Sequence, residues 1–214
     1  MSDTFRSPYP GWDVLSKWST PSYNEQTREV LNRRIDPPAP HALEREVYRT
    51  LCALCERVIP QHEDTQGPPP APIAPWIDAA IAGGRSSGTR YDGMPDTPTA
   101  WRRGLAALDA EARQRHGQPF HRVPAQAQDA ILRDVGKGQV KATAAWEGLE
   151  PRTFLRKVAL KQIVEIYYAH PRGQSEIGYG GPASPRGYLR LGAGRTDEWE
   201  APEGQWDRLR EPAR

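Results

Sequence analysis

The sequence contains no apolar run long enough to cross a membrane and no excess of charge of one sign. A transmembrane helix needs about 20 consecutive apolar residues, and no stretch of this 214-residue chain approaches that length. The 29 basic and 27 acidic residues give a net charge of +2, and the two signs stay balanced in both terminal regions. Because nucleic-acid-binding proteins concentrate Lys and Arg on one face or tail, the composition argues against DNA or RNA as a partner.

Residues 1–19 lack the features of an export signal. They contain neither an apolar h-region nor a twin arginine ahead of one. The sequence does not decide the cellular compartment. The absence of an export signal favours the cytoplasm, and export together with a partner would place the chain in the periplasm.

The motifs of catalysis and of cofactor binding are also missing from the sequence. The five histidines form no HExxH motif and no Cys/His cluster, and there is no Gly-x-Ser-x-Gly elbow. The glycines of Gly178–Gly181 neither follow a strand nor open a helix, as a dinucleotide-binding loop requires. We therefore predict no catalytic residue, no cofactor-binding residue and no metal ligand in this chain, and no intrinsic activity. His170, just before Pro171, is predicted to cap the end of a helix.

The chain has only two cysteines, Cys52 and Cys55. Their spacing places them on one side of a helix, which is compatible with a redox pair, half of a zinc site or core packing. A redox pair lies at a helix N-terminus and a structural zinc site needs four ligands. Because this pair lies in mid-helix beside Leu51 and Leu54 and no second pair exists, we predict that both thiols pack in the core.

Helical periodicity dominates the middle of the sequence, and we find no convincing alternating strand pattern. We predict an all-α fold: a compact helical domain of about five or six helices packed around residues 151–168. Pro171 should end the last of them and leave irregular chain behind it. The predicted division is an extended N-terminal arm (1–40), a helical core domain (41–170) and a Gly/Pro-rich C-terminal arm (171–214).

Both predicted arms combine proline with aromatic residues and show little helical pattern. Such segments cannot bury their rings by themselves, so the rings must return to the core, cover a partner, or do both. Aromatic and Arg side chains are the usual anchors of protein interfaces. The residues that we predict to bind a partner are Trp12, Trp18, Tyr179, Gly180, Gly181, Arg186, Gly187, Tyr188 and Trp199.

An ordered set of features carries a family resemblance. It begins with Arg57-Val58-Ile59-Pro60 at a helix end and continues with Pro119-Phe120 ahead of a short helix. An aromatic helix and then Gly180-Gly181 near Gly187-Tyr188 complete the set. In this order, over roughly residues 43–190, the chain resembles the gluconate 2-dehydrogenase subunit 3 family. That family often has Gly-Gly-Asn and Gly-Trp where this chain has Gly-Gly-Pro and Gly-Tyr.

The resemblance implies a non-catalytic small subunit of a sugar or polyol dehydrogenase complex. Its large subunit would be a glucose-methanol-choline-type flavoprotein that transfers a hydride to FAD, and a cytochrome c subunit carrying haem c would pass electrons on. The small subunit would support folding, stability or assembly of the flavoprotein. Two alternatives remain from the residues alone: a free-standing helical protein with its own small-molecule site, and an assembly module unrelated to redox chemistry.

Overall fold

The computed structural model describes residues 7–61, 68–84, 86, 91, 93–181, 197–201 and 204. Within these ranges the chain forms helices and no strand, which confirms the all-α prediction. The described residues also include three short 3₁₀ turns: Val14–Lys17 ahead of the first α-helix, and Phe120–Arg122 and Thr143–Trp146 between later ones. The α-helices are α1 (Glu25–Ile35), α2 (Arg45–Val58), α3 (Ile73–Ala82), α4 (Thr97–His116), α5 (Ala125–Val135), α6 (Pro151–Thr153), α7 (Leu160–Ala169) and α8 (Pro171–Glu176).

The chain divides into two compact units. The first, here called the helical unit, comprises Pro37–Gln61 and Pro72–Ile166. The second, the terminal unit, comprises Met1–Asp36, His62–Ala71 and Tyr167–Arg214. The predicted domain boundaries after residues 40 and 170 are not tested by this grouping and stay a prediction.

Helix α4 is the centre of the helical unit because its apolar side chains recur at three- and four-residue steps. Trp101, Leu105 and Leu108 are fully buried, as the sequence pattern predicts. The Asp96 side chain caps the helix by accepting a hydrogen bond from Thr99 N at 3.0 Å. Gly117 ends the helix in the left-handed region, at φ 72°.

A π-helical segment, Phe154–Ala159, joins α6 to α7 and packs against α4. The Phe154 ring lies edge-on to Trp101 with 5.8 Å between the ring centroids. It occupies the space that a Cβ atom on Gly104 would need. The Trp101 indole nitrogen donates to Gln162 Oε1 at 2.7 Å, which satisfies the polar atom of this buried ring.

Three buried carboxylates hold the connections of the helical unit in place. Asp78, on α3, accepts hydrogen bonds from the backbone N–H groups of residues 41, 42 and 43. Asp109, on α4, accepts one from Thr50 and one from the backbone of Phe120. Glu111, also on α4, accepts from the backbone of residues 141 and 142 and pairs with Arg115. Each carboxylate thus satisfies backbone donors that a loop would otherwise leave unpaired.

The two cysteines of α2 have different environments. Cys55 is 6% exposed and packs as predicted, but Cys52 is exposed, so the prediction that both thiols lie in the core is wrong for Cys52. Positions i and i+3 differ by about 60° around a helix, and the edge of the apolar face passes between these two residues. Burial raises the pKa of the Cys55 thiol, and partial desolvation, opposed by a hydrogen bond with Tyr48, raises that of Cys52; both shifts disfavour the nucleophilic thiolate.

The two cysteines form a matched pair for a stability test. We expect Cys55→Ala to lower the free energy of unfolding by about 1 kcal/mol, because it removes a buried apolar group. Cys52→Ala should change it by less than about 0.5 kcal/mol, as an exposed substitution does. Urea unfolding of both variants under reducing conditions checks this. Equal losses of unfolding free energy in the two variants would show that solvent exposure does not govern how much each thiol contributes to stability.

Candidate partner-binding site

Helix α8 organises the C-terminal side of the terminal unit. The expectation that chain beyond Pro171 is irregular is wrong, because α8 begins at Pro171 itself. Proline suits the first position of a helix, where its fixed φ is already helical and its missing N–H would have no partner. His170 is the N-cap of α8 and not a C-terminal cap, since its Nδ1 accepts a hydrogen bond from Arg172 N at 3.1 Å.

His170 is buried and uncharged at neutral pH. Burial, followed by the positive charges of Arg172 and Arg34, lowers its pKa from 6.5 to about 4. The unfolded chain therefore takes up a proton on this histidine at a higher pH than the folded chain. The neutral His170 therefore contributes fully to the free energy of unfolding above about pH 6.5. As pH falls from 6.5 toward 4, protonation of the unfolded chain lowers that free energy by about 3 kcal/mol in total.

His170→Asn should remove this component of the pH dependence. Asparagine caps a helix N-terminus as well as any residue but does not titrate. The difference in unfolding free energy between wild type and variant should shift by about 3 kcal/mol in favour of the variant between pH 7 and pH 4. Urea titrations across this range measure it, with the exposed His116→Asn as control. If the difference in unfolding free energy between wild type and His170→Asn were the same at pH 7 and pH 4, His170 would not be a source of the pH dependence of stability.

A glycine-containing loop, residues 177–181, follows α8. Tyr179 N donates to Gln174 O at 2.9 Å and turns the chain back onto the helix. Gly178 and Gly181 have φ of 64° and 92°, values that other residues rarely adopt. A Cβ atom on Gly178 would lie 2.5 Å from the ring of Tyr9, and one on Gly181 would lie 2.6 Å from Ser22 Oγ. Both glycines are therefore required by close approach of the N-terminal segment as well as by backbone conformation.

Residues 7–23 lie along α8 and this loop. Ser7 Oγ donates to the backbone oxygen of Glu176 at 2.6 Å, and Val14 N donates to Ser175 Oγ at 2.9 Å. Val14 starts the 3₁₀ turn, which Asp13 caps through Leu15 N. The N-terminal segment is thus ordered by contacts with residues more than 150 positions away in the sequence.

Lys17 is the focus of this arrangement. Its side chain is 1% exposed, and its Nζ donates to the carbonyl oxygen of Tyr179 at 3.1 Å. Three aromatic rings surround the ammonium group, with centroid distances of 5.9 Å to Trp12, 5.2 Å to Tyr23 and 5.8 Å to Tyr179. Each distance lies within the range of a cation–π interaction, whose strength rises when the cation is shielded from water.

The structure brings several predicted partner-binding residues together. Trp12, Tyr179 and Gly181 meet at Lys17, and the Gly180 carbonyl accepts from Ser22 Oγ at 3.4 Å. Trp18 lies one ring away, edge-on to Tyr23 with 6.3 Å between the centroids. Trp199 belongs to the separate turn at residues 197–200, and Glu200 of that turn lies beside Gly180. Arg186, Gly187 and Tyr188 lie outside the described residues.

The sequence reasoning missed Lys17, which links these residues. A signal was present, because Lys17 is the only lysine among the closely spaced aromatic residues of the first 40 positions. A basic side chain between aromatic residues is a potential cation–π partner. Which rings would surround it depends on the return of residue 179 from the other end of the chain, and local pattern does not reveal that.

Among the described residues, no three or more His, Cys, Asp or Glu side chains are grouped so that they could hold a metal ion. No described helix is long and apolar enough to cross a bilayer. The features that stand out are the all-α fold and a cluster of aromatic rings around the buried Lys17, of which the Tyr179 ring is the most exposed. They define a helical protein with a candidate interaction surface.

The family model for gluconate 2-dehydrogenase subunit 3 matches residues 45–181, which is more than half of the 214-residue chain. The chain therefore belongs to this family, and the resemblance noted from the sequence is confirmed. No curated protein and no solved structure matches the chain. The match begins at the first residue of α2 and ends at Gly181, so residues 7–36 precede it.

Proposed function

We propose that this protein is the non-catalytic small subunit of an FAD-dependent sugar or polyol dehydrogenase. Its partner is a large flavoprotein of the glucose-methanol-choline type, which binds the FAD and carries out hydride transfer. The small subunit supports the folding, stability or assembly of that flavoprotein. Membership of a family described as a dehydrogenase subunit is the observation that supports this proposal. A third subunit with haem c is the proposed electron acceptor.

The proposed contact region combines described residues near the glycine-containing loop, Trp199 of the turn at residues 197–200, and three residues outside the described ranges. Its members are those predicted from the sequence: Trp12, Trp18, Tyr179, Gly180, Gly181, Arg186, Gly187, Tyr188 and Trp199. The backbone of the glycine-containing loop is held in one conformation, because Lys17, Ser22 and Gln174 each form a hydrogen bond with it. This well-defined conformation supports the proposal that the loop contacts a partner. A surface that is ordered before binding loses less conformational entropy when a partner docks on it.

The first test is whether a flavoprotein of the glucose-methanol-choline type is encoded beside this gene, and the second is co-expression of that flavoprotein with this chain. We expect the two chains to elute together from a size-exclusion column, with flavin absorbance only in fractions that contain the large subunit. The flavoprotein should also melt at a higher temperature in the complex, because binding to the folded state stabilises it. Separate elution, with the same melting temperature for the flavoprotein with and without this chain, would rule out the proposed assembly role.

One observation favours the alternative of a protein with its own small-molecule site. His170 Nε2 and Gln174 Oε1 are buried and make no hydrogen bond with another described residue. In the neutral histidine, Nε2 is a donor, because Nδ1 accepts from Arg172 N, and the Gln174 oxygen is an acceptor, so a polar ligand would satisfy either atom. Native mass spectrometry of the chain purified without a flavoprotein tests this alternative. A stoichiometric adduct that His170→Asn abolishes would support it over the subunit proposal.

A further inference from the structure

We infer that Lys17 is the positioning residue of the glycine-containing loop, because its ammonium group fills a site built for an alkylammonium ion. The site, here called the ammonium site, is formed by the carbonyl oxygen of Tyr179 and by the rings of Trp12, Tyr23 and Tyr179. Its existence does not depend on a partner. Its consequence for binding rests on the proposed function, since residues 179–181 belong to the proposed contact region.

The ammonium site has the chemistry that a primary ammonium group requires. A carbonyl oxygen accepts one of its three N–H donors, and aromatic faces carry the negative part of the ring quadrupole. The Tyr179 oxygen lies 3.1 Å from Lys17 Nζ, and the three ring centroids lie between 5.2 and 5.9 Å from it. Lys17 is 1% exposed. Because a buried charge is costly unless it is partnered, these contacts replace the water that the ammonium group has lost.

The ammonium site joins the two ends of the chain. Trp12, Lys17 and Tyr23 come from the N-terminal segment, whereas Tyr179 follows α8. The hydrogen bond from Lys17 to the Tyr179 carbonyl therefore spans 162 positions of the sequence. Ser22 Oγ adds a longer bond of 3.4 Å to the Gly180 carbonyl. Lys17 thus supplies a charged attachment of the loop to the N-terminal segment.

The loop is shaped to receive the ammonium group. A Cβ atom on Gly181 would lie 3.1 Å from Lys17 Nζ, so a side chain at this position would crowd the ammonium group. Tyr179 is held from two sides, since its N–H donates to Gln174 O at 2.9 Å and its carbonyl oxygen accepts from Lys17. Removing the ammonium group releases the carbonyl side. The Tyr179 ring, which is 37% exposed, would then lose its fixed position.

Family membership by itself does not predict this dependence. The stretch matched by the family, residues 45–181, includes Tyr179 but begins after Trp12, Lys17 and Tyr23. The conformation of a loop inside the matched stretch is therefore set by residues that precede it.

Chemical complementation of the full chain tests the ammonium site. Lys17→Ala removes the part of the side chain beyond Cβ, which is equivalent to n-propylammonium. Without any partner, amide hydrogen exchange at residues 177–181, followed by mass spectrometry, should accelerate by at least roughly tenfold, because opening the loop no longer breaks these contacts. Adding n-propylammonium chloride should restore slow exchange, since a ligand that fills the site stabilises the closed loop. Exchange in α4, which belongs to the helical unit, should stay unchanged.

Three controls separate charge from volume. n-Propanol has the same length but no charge and should not restore slow exchange. Lys17→Met keeps an unbranched chain in the site, so its loop should exchange fast and not respond to n-propylammonium; it also replaces Lys17→Ala if that variant does not fold. Lys137→Ala removes an exposed lysine of the helical unit and should have no effect. Wild-type exchange rates in both Lys17 variants, or equal restoration by n-propanol, would overturn the inference.

A binding measurement connects the ammonium site to the proposed function. The dissociation constant for the flavoprotein, measured by interferometry, should rise by roughly tenfold in Lys17→Ala, and n-propylammonium should reverse this rise. A wild-type chain that does not bind would contradict the proposed function, and the exchange rates of the isolated chain would still decide the inference. Wild-type affinity in a Lys17→Ala variant whose loop exchanges fast would overturn the link between Lys17 and partner binding.

Discussion

Gly104→Ala should lower the free energy of unfolding by about 3 kcal/mol, at the upper end of what overpacking costs. In an ordinary helix the same change stabilises by up to about 1 kcal/mol. Here the added methyl group would overlap three carbon atoms of the Phe154 ring. That ring is fully buried and packs against Trp101 and Trp146, so α4 and the π-helical segment must move apart to accept the added methyl group.

A double-mutant cycle identifies the cause of this loss. Phe154→Leu alone creates a cavity and should cost about 2 kcal/mol, but in the Gly104→Ala background it should cost much less, because the smaller side chain relieves the overlap. Urea unfolding of the two single variants and the double variant gives the coupling energy. Gly117→Ala serves as control: nothing lies near its Cβ position, and it should lose only the roughly 1 kcal/mol associated with its positive φ. Strictly additive losses at Gly104 and Phe154 would argue against overlap.

Glu111→Ala should lower the free energy of unfolding by about 3 kcal/mol, because it removes one of the two carboxylates that pair with the nearly buried Arg115 and leaves two backbone donors without an acceptor. Glu111 is fully buried, and one of its oxygens lies 2.9 Å from Arg115 Nε. Its other oxygen accepts hydrogen bonds from Lys141 N at 2.8 Å and Ala142 N at 2.7 Å. The substitution therefore leaves Arg115 with Asp134 as its remaining carboxylate partner and leaves two backbone donors unsatisfied.

Glu111→Gln separates these two contributions. The amide oxygen can still accept from the backbone of residues 141 and 142, but the charge opposite Arg115 is gone, so we expect an intermediate loss. Asp134 also contacts Arg115, at 2.6 Å, and should limit the damage in this variant. Glu165→Ala, at an exposed glutamate, should change stability by less than about 0.5 kcal/mol. Chemical unfolding monitored by tryptophan fluorescence gives all three values. Identical losses for Glu111→Ala and Glu111→Gln would mean that the backbone hydrogen bonds contribute nothing measurable.

The sequence predicted the helical unit well because its signals are local. Apolar residues repeat at helical spacing through Leu51 and Leu54 in α2 and through Trp101 and Leu105 in α4, and these side chains are buried. Gly117 ends α4 in the left-handed region, the conformation that glycine adopts most readily. A cap or a terminating glycine depends on a few neighbouring residues, so it can be recognised without knowing the fold.

The terminal unit was predicted less well because its order depends on contacts between the two ends of the chain. The 3₁₀ turn at Val14–Lys17 and the short helix α8 have weak local signals, and each satisfies polar groups of the other, as in the bond from Val14 N to Ser175 Oγ. The exposure of Cys52 is a similar case. Periodicity locates the apolar face of α2 but not its edge, which the packing of neighbouring helices sets.

Composition, periodicity and a set of ordered motifs therefore determined the all-α class, the helices of the central region and the family. The tertiary structure alone decided that Asp78, Asp109 and Glu111 hold loops, and that Lys17 lies among three rings drawn from both ends of the chain. The physical reason is that a buried charge is stable only with partners to satisfy it. Those partners are distant in the sequence, so only the folded chain brings them within hydrogen-bonding distance.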